Sequence, residues 1–342
     1  FFIGHSVGEL GNAATNISFP LSISCVAISL LFGIGGASAF NISMGAGEKK
    51  KAVYYLGNSA VMLFSCGIVL CVITLMFLEP LLRFFGSPNN VLDYAKTYTG
   101  IIAFGFPFLI LTTGGGHLIR ADGRPKVSMI CNLTGAIVNT FLDALFVFGL
   151  NMGMRGAALA TIIGQVLSAI MVIWCLSHCK TVSVGKEHLR VRKKIISRII
   201  SLGTAPFSNQ LAMMVVQIVM NKSLKYYGSI SVYGEAVPIA CAGIITKVNQ
   251  VFMSFVIGIS QGLQPITSFN YGAKKYKRVK TAYTFAIKCG FALAVVAFLL
   301  FQLAPRQIIS IFGDGSEEYY TFAINYFHIF LFFTFINFMQ PI

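Results

Sequence analysis

Eight long apolar runs dominate the chain: Ile17 to Ser43, Val53 to Leu78, Thr99 to Ile119, Val127 to Phe148, Ala157 to Leu176, Ile199 to Met220, Val237 to Ile266 and Ala282 to Leu303. A helix of about 20 apolar residues matches the thickness of the hydrocarbon core of a bilayer, so each run reads as a transmembrane span. Composition agrees: 11% of the residues are charged, against roughly 25% in a soluble domain, and the mean hydropathy is +0.76. The expected fold class is an all-α polytopic membrane protein with eight complete spans. A ninth run begins near Phe322, and Phe1-Phe2-Ile3 reads as the tail of a span. Both ends of the 342 residues look cut, and we expect a fragment.

The charges between the runs orient the chain. Four connections, Lys49 to Lys51, Arg120 to Lys126, Lys180 to Arg198 and Lys274 to Lys280, carry eighteen of the twenty-six Lys and Arg residues and alternate with connections that carry few. The positive-inside rule places these four in the cytoplasm. The same bias explains the net charge of +15. The basic run Lys186 to Arg198 lies between two spans and holds no aromatic residue for base stacking, so nucleic acid is not an expected partner. Anionic inner-leaflet lipids suit it.

Several other chemistries are excluded by pattern. The eight cysteines form no CxxC pair and have no His at zinc-ligand spacing; they read as small packing residues. Gly33, Gly35, Gly36, Gly45 and Gly47 are followed by no Gly-Lys-Ser/Thr, which leaves close helix packing as their role rather than a phosphate loop. No nucleophile and base stand at suggestive spacing, so no enzyme site and no cofactor are expected. Pro20, Pro107, Pro206 and Pro265, inside runs, mark expected kinks.

The chain repeats itself. A shift of 227 residues carries Gly35 onto Gly262, Gly45-Ala46 onto Gly272-Ala273, Lys50-Lys51 onto Lys277-Arg278, Phe64 onto Phe291 and Phe85-Gly86 onto Phe312-Gly313. It also superposes the first two runs on the seventh and eighth without a gap. Because a run falls on the sixth run after it, both copies point the same way across the membrane. Parallel repeats of this kind build transporters whose substrate lies between the halves and whose access alternates as one half rocks against the other. Six spans per half predicts twelve in all, in two six-helix bundles. The expected organisation is an N-terminal bundle over 1–180, a basic cytoplasmic linker over 181–198 and a C-terminal bundle over 199–342, truncated in its tenth helix. A duplication retained in a structural or receptor-like bundle is the bland alternative.

Of the eleven acidic residues only Asp143 falls inside a run. A carboxylate at that depth costs roughly 2.5 to 3.5 kcal/mol on the insertion scale and is expected to face the bundle interior beside a partner, a cation or a proton. Asn139 lies one helical turn earlier on the same face, so both side chains can offer oxygen to one site suited to Na+ or to a protonatable relay. The alternative is a structural, hydrogen-bonded Asp near a span end. Lys247, with Asn249 and Gln250, sits deep in its run and either lines a cavity or forms a structural pair; Lys288 is expected to snorkel to an interface.

At this point the chain resembles the multidrug and toxic compound extrusion (MATE) family. The residues carrying the likeness are Phe2-Ile3-Gly4-His5 with Gly8 and Leu10-Gly11, Gly45-Ala46-Gly47, Ile119-Arg120-Ala121-Asp122-Gly123, Asn139 with Asp143, and Gly156-Ala157-Ala158-Leu159-Ala160-Thr161. In the second half they are Gln261-Gly262 with Gln264-Pro265 and Asn270-Tyr271-Gly272-Ala273. The resemblance implies a twelve-helix exporter that uses a Na+ or H+ gradient to expel amphipathic, often cationic compounds. It places the coupling site in the first half, at Asn139, Asp143 and Thr161, the last supplying a hydroxyl oxygen; as a metal site it would hold Na+ only. A further family acid would fall ahead of Phe1. The second-half acids of another branch of the family have no counterpart in Ile199 to Met220 or Val237 to Ile266.

The expected function is therefore a multidrug antiporter, with Gln165, Lys247, Gln250 and Gln264 as candidates for the substrate cavity. It is expected to be a monomer in the bacterial plasma membrane, surrounded by lipid. The alternative is a flippase for a lipid-linked oligosaccharide or peptidoglycan precursor. Such a cavity needs several central Arg or Lys for a pyrophosphate head group, and the first-half spans contain none.

Overall fold

A computed structural model describes residues 9–85, 87, 89–230, 236–310 and 317–341. The motif Phe2-Ile3-Gly4-His5 with Gly8 and the repeat matches Gly86 and Phe312-Gly313 lie outside the described residues. Among the described residues there is no strand, and the fold is an all-α polytopic membrane fold. The helices are α1 (Glu9–Gly45), α2 (Lys49–Met76), α3 (Leu78–Phe84), α4 (Asn89–Ala103), α5 (Phe106–Ala121), α6 (Pro125–Asp143), α7 (Gly153–Ser177) and α8 (Lys193–Ser229). They continue as α9 (Ala236–Gly272), α10 (Tyr276–Leu303), α11 (Pro305–Ser310), α12 (Glu317–Phe330) and α13 (Thr334–Asn337).

Among the described residues, six helices are long and apolar enough to cross a bilayer, and a bent pair, counted as one span, brings the number to seven. The remaining expected run, Val237 to Ile266, lies within α9, whose 37 residues are long enough to cross but are diluted by Lys247, Asn249, Gln250, Gln261 and Gln264. Large apolar side chains point outward along the spans, among them Ile68, Val69, Val72 and Met76 on α2 and Leu133, Ile137 and Phe141 on α6. In water that arrangement would be an aggregation liability; against lipid tails it is the ordinary surface.

The bent pair sharpens one expectation. Thr99 to Ile119 reads as one run kinked at Pro107, and the structure breaks it into two helices, Val91–Ala103 and Phe106–Ala121, inclined by 55°. Pro107 stands in the first turn of α5 rather than inside a helix. Its ring lacks an N–H and restricts the preceding residue, so a helix starts there more easily than it continues through. Pro20, Pro206 and Pro265 do lie inside helices, in α1, α8 and α9.

The chain divides into two compact units, Phe1–Met214 and Val215–Ile342. The core of the first is built on Phe40, Leu56, Leu63, Phe106, Ile110 and Leu118, all but closed to solvent. Its helices approach at glycines: a Cβ on Gly33 would lie 2.6 Å from the Gly114 Cα, one on Gly36 would strike the Ser59 hydroxyl, and one on Gly35 the Ile199 carbonyl. These glycines are contact points between helices, as the sequence suggests. Buried hydroxyls tie α1 to α4 and to α5, with Ser18 and Thr99 2.5 Å apart and Ser29 donating to the Ile110 carbonyl at 3.3 Å. The core of the second unit is aromatic, with the rings of Phe252 and Phe327 each edge-on to Phe301.

The repeat reappears as helix boundaries. Shifted by 227 residues, Glu9–Gly45 falls on Ala236–Gly272 and Lys49–Met76 on Tyr276–Leu303, end for end. The short α3 falls on α11 and α4 on α12, each within one residue. Both long helices that open a copy, α1 and α9, count 37 residues.

The segment 181–198 is more ordered than a linker reading suggests. It contains a 3-10 turn, Lys186–Leu189, and α8 already begins at Lys193. Asn58, fully buried in α2, holds it: its Nδ2 donates to the carbonyls of His188 and Arg190, both at 3.1 Å, and its Oδ1 accepts from the Arg192 N–H at 2.9 Å. The Arg192 guanidinium lies 3.7 Å from the centre of the Tyr54 ring, which His188 also flanks. One amide thus satisfies three backbone groups that would otherwise need water.

Candidate coupling site

Asp143 is the last residue of α6, and the chain runs on from it as a π-helical turn, Ala144–Gly149. The wider ladder is visible in the Leu150 N–H, which donates to the Leu145 carbonyl five residues back at 2.9 Å. Single π turns recur at functional sites, and this one ends α6 directly after the carboxylate.

Glycine packing brings the neighbours together. A Cβ on Gly164 of α7 would lie 2.7 Å from the Gly135 carbonyl oxygen and 3.0 Å from the Asn139 Cβ. The α6 and α7 backbones therefore touch one turn from the site. One turn further the Ser168 hydroxyl donates to the Cys131 carbonyl at 2.9 Å. With the helices this close, the Asn139 Nδ2 donates to the Thr161 Oγ1 at 3.4 Å, while that hydroxyl donates to the Ala157 carbonyl at 2.9 Å. The Asn139 Oδ1 is left as an acceptor.

Asp143 Oδ1 and Gln165 Oε1 are buried acceptors without a hydrogen-bond partner. Buried polar atoms are nearly always paired, so the unpaired Asp143 oxygen marks a place where a proton or cation is wanted. Gln165 follows Thr161 by one turn of α7, and its Oε1 abuts Gly105, in the break between α4 and α5. The Tyr98 phenol, on α4, stands near enough for the Asp143 charge to act on it. The expected trio Asp143, Asn139 and Thr161 therefore lies on the facing helices α6 and α7. Gln165, expected in the substrate cavity, extends that set of oxygens, and Tyr98 is an addition that its position in a separate helix hid from sequence reasoning.

The other expected cavity residues stand in the second unit, all on α9. Lys247 and Gln250 are exposed there and share a face, three residues apart, and Gln264 is half-buried. Lys288 is exposed on α10.

The sequence points to Asp143 as the one buried acid, but the most buried is Asp122, whose side chain is wholly enclosed. It sits just past α5 and meets the Arg124 Nε at 2.8 Å. It also accepts from the backbone N–H groups of Lys180 and Thr181 at 2.8 and 3.0 Å and from the Thr181 hydroxyl at 2.5 Å. Arg124 in turn donates to the Cys175 carbonyl at 2.7 Å. This carboxylate is fully paired and joins the ends of α5 and α7, a structural task distinct from that of the unpaired Asp143. Among the described residues no group of three or more His, Cys, Asp or Glu could hold a metal.

The MatE family model matches residues 1–145 and 207–342, most of the chain. Among curated proteins, the multidrug export protein MepA of Staphylococcus haemolyticus is 26% identical over 93% of this chain and 69% of its own length. Among solved structures, the MATE multidrug transporter DinF-BH, held in a ligand complex, is 27% identical, with a TM-score of 0.88 over 98% of this chain and 74% of that one. A MATE structure in complex with MaD3S superposes with a TM-score of 0.90 at 20% identity, over 99% of this chain and 74% of that one. The matches span both copies of the repeat and the helices carrying Asp143, and the family is one of transporters, not enzymes. By these matches the chain belongs to the MatE family of multi-pass membrane transporters.

Proposed function

We propose that this protein is a secondary active antiporter that exports amphipathic, often cationic compounds in exchange for Na+ or H+. The observation that carries the reading is the buried, unpartnered Asp143 Oδ1 at the junction of α6 with a π turn, one helical turn from Asn139, whose amide bonds Thr161. One carboxylate among neutral oxygens suits a hard monovalent cation or a proton and offers no soft ligand for a transition metal. Multidrug export in the named relatives supports the choice of substrate class.

In this mechanism the ion at Asp143 changes the relative stability of the outward-open and inward-open states, which requires that it bind the two differently. The π turn, which follows Asp143 directly, is the element able to differ between them, since a change in its ladder alters the end of α6 that carries the carboxylate. The basic connections face the cytoplasm, and a bacterial plasma membrane is the expected location.

The test is efflux of a fluorescent cationic dye from proteoliposomes under a Na+ gradient or a pH gradient imposed separately, for the parent chain and for Asp143→Asn. One gradient should drive the dye, and the substitution should abolish that drive while leaving dye binding measurable. Dye movement independent of both gradients, or unchanged by the substitution, would overturn the coupling role of Asp143.

A further inference from the structure

The basic end of the first unit holds a cavity that the transport reading leaves unused. It has a volume of about 400 Å³ and opens where the C-terminal turn of α1 meets the first turns of α2 and α8. Lys51, Lys194 and Arg198 line it, with Glu48, Tyr55 and the apolar Ile195. Glu48 pairs with Lys51 at 3.1 Å. Lys194 and Arg198, one turn apart on the exposed side of α8, make no ion pair among the described residues.

Two further observations point to an anion. The helices α2 and α8 both begin beside this cavity, and the start of α2 has no side-chain cap, so the positive ends of two helix dipoles meet there. The cavity also lies at the ends of membrane-crossing helices, with Ile42 and Ile195 on its walls, at the level where lipid headgroups meet acyl chains.

We infer that this cavity binds the phosphate of an anionic membrane lipid, its acyl chains leaving along the apolar side of α1 and α8. Two unpaired cations and two helix starts match a phosphodiester with several acceptor oxygens and one net negative charge. A bound lipid would hold the start of α8 against α1 and α2 and so stiffen the end of the unit from which α8 departs.

The test is native mass spectrometry of the purified full chain in detergent with three probes: phosphatidylglycerol, the net-neutral phosphatidylcholine and inorganic phosphate. Phosphatidylglycerol should be retained in preference to phosphatidylcholine. Lys194→Gln with Arg198→Gln should weaken that retention about twenty-five-fold, at roughly fivefold per cation, while the charge-conserving exchange Lys194→Arg with Arg198→Lys keeps it. Equal retention of the two lipids, or no loss in the double Gln variant, would overturn the proposal. Binding of inorganic phosphate without retention of phosphatidylglycerol would overturn the lipid assignment in favour of a soluble anion. If the double variant does not fold, Lys51→Gln and Arg198→Gln, made singly, carry the same comparison.

Discussion

Gly47 and Lys274 occupy the same place in the two copies of the repeat and share a left-handed backbone, with φ of 81° and 56°. The hydrogen bonds around them match as well: Glu48 N–H to the Ser43 carbonyl corresponds to Lys275 N–H to the Asn270 carbonyl, both at 2.9 Å. Each closes a 37-residue helix with the same turn. Glycine adopts that conformation freely, whereas a side chain there is strained.

Lys274→Gly is therefore expected to stabilise the protein by about 0.5 to 1 kcal/mol, relief of strain outweighing the added freedom of the unfolded chain. Gly47→Ala should destabilise it by at least as much. Thermal unfolding in detergent of both variants checks the pair, and shifts of the same sign would contradict the strain argument.

Gly33→Ala is expected to cost about 2 to 3 kcal/mol, in the range of overpacked cores. Its new methyl meets the Gly114 main chain, which cannot rotate aside as a side chain would. Gly123→Ala makes a useful comparison: open space surrounds that position, but its φ of 80° is strained for alanine. Melting temperatures of the two variants separate steric from torsional cost.

Asp122→Ala leaves a largely buried Arg124 and two backbone N–H groups without their acceptor. Breaking a buried pair on one side costs about 3 to 5 kcal/mol. Asp122→Asn, which keeps an acceptor oxygen, should fall between that variant and the parent. A melting temperature unchanged in Asp122→Ala would show that the junction of α5 and α7 does not need the carboxylate.

Asn58→Ala should free the segment 181–192 while leaving the spans folded. Trypsin has sites at Lys186, Arg190 and Arg192, and cleavage there is expected to become at least about tenfold faster, because proteolysis follows local opening. Equal cleavage rates in parent and variant would mean that the three hydrogen bonds of Asn58 do not restrain the segment.

Cys179, just beyond the end of α7, has its thiol pushed up to about 12 by burial and by the nearby Asp122 carboxylate. At pH 7.5 its thiolate fraction is then below about 1 in 10,000, so maleimide labelling should be slow. The sign follows from the raised value: the reactive thiolate appears only as the pH climbs toward 12. Labelling of a variant whose sole cysteine is Cys179, followed between pH 7 and 10, tests this.

The sequence carried the spans because an apolar run is a local property that lipid reads one helix at a time. It carried the repeat so well that the 227-residue shift locates both ends of α9 and α10. It carried a kink at Pro107 but not the full break at Gly105, since Pro107 suits a kink within a helix as well as the first turn of a new one. Nor did it reveal the burial of Asp122, whose partners at Lys180 and Thr181 lie 58 and 59 residues away. Asn58 was a visible signal, a lone amide in the run Val53 to Leu78, but its partners belong to a segment that reads as a charged loop. The oxygens at Asp143, Asn139 and Thr161 were legible because two share one helix face and the third lies in a recognisable stretch of α7; Tyr98 was not, because its approach depends on how α4 packs.

The π turn at Ala144–Gly149 gives this stretch of chain an unusual tolerance. In an ordinary α-helix, losing one residue rotates everything beyond it by about 100° and scrambles the buried face. Here the turn ends α6, and the irregular residues 150–152 follow before α7 begins at Gly153, so a single deletion between 144 and 149 is expected to shorten the connection to α7 and leave the α6 ladder up to Asp143 in place. Such a variant should fold and melt near the parent. If the turn supplies the second state of the transport cycle, the deletion separates folding from transport.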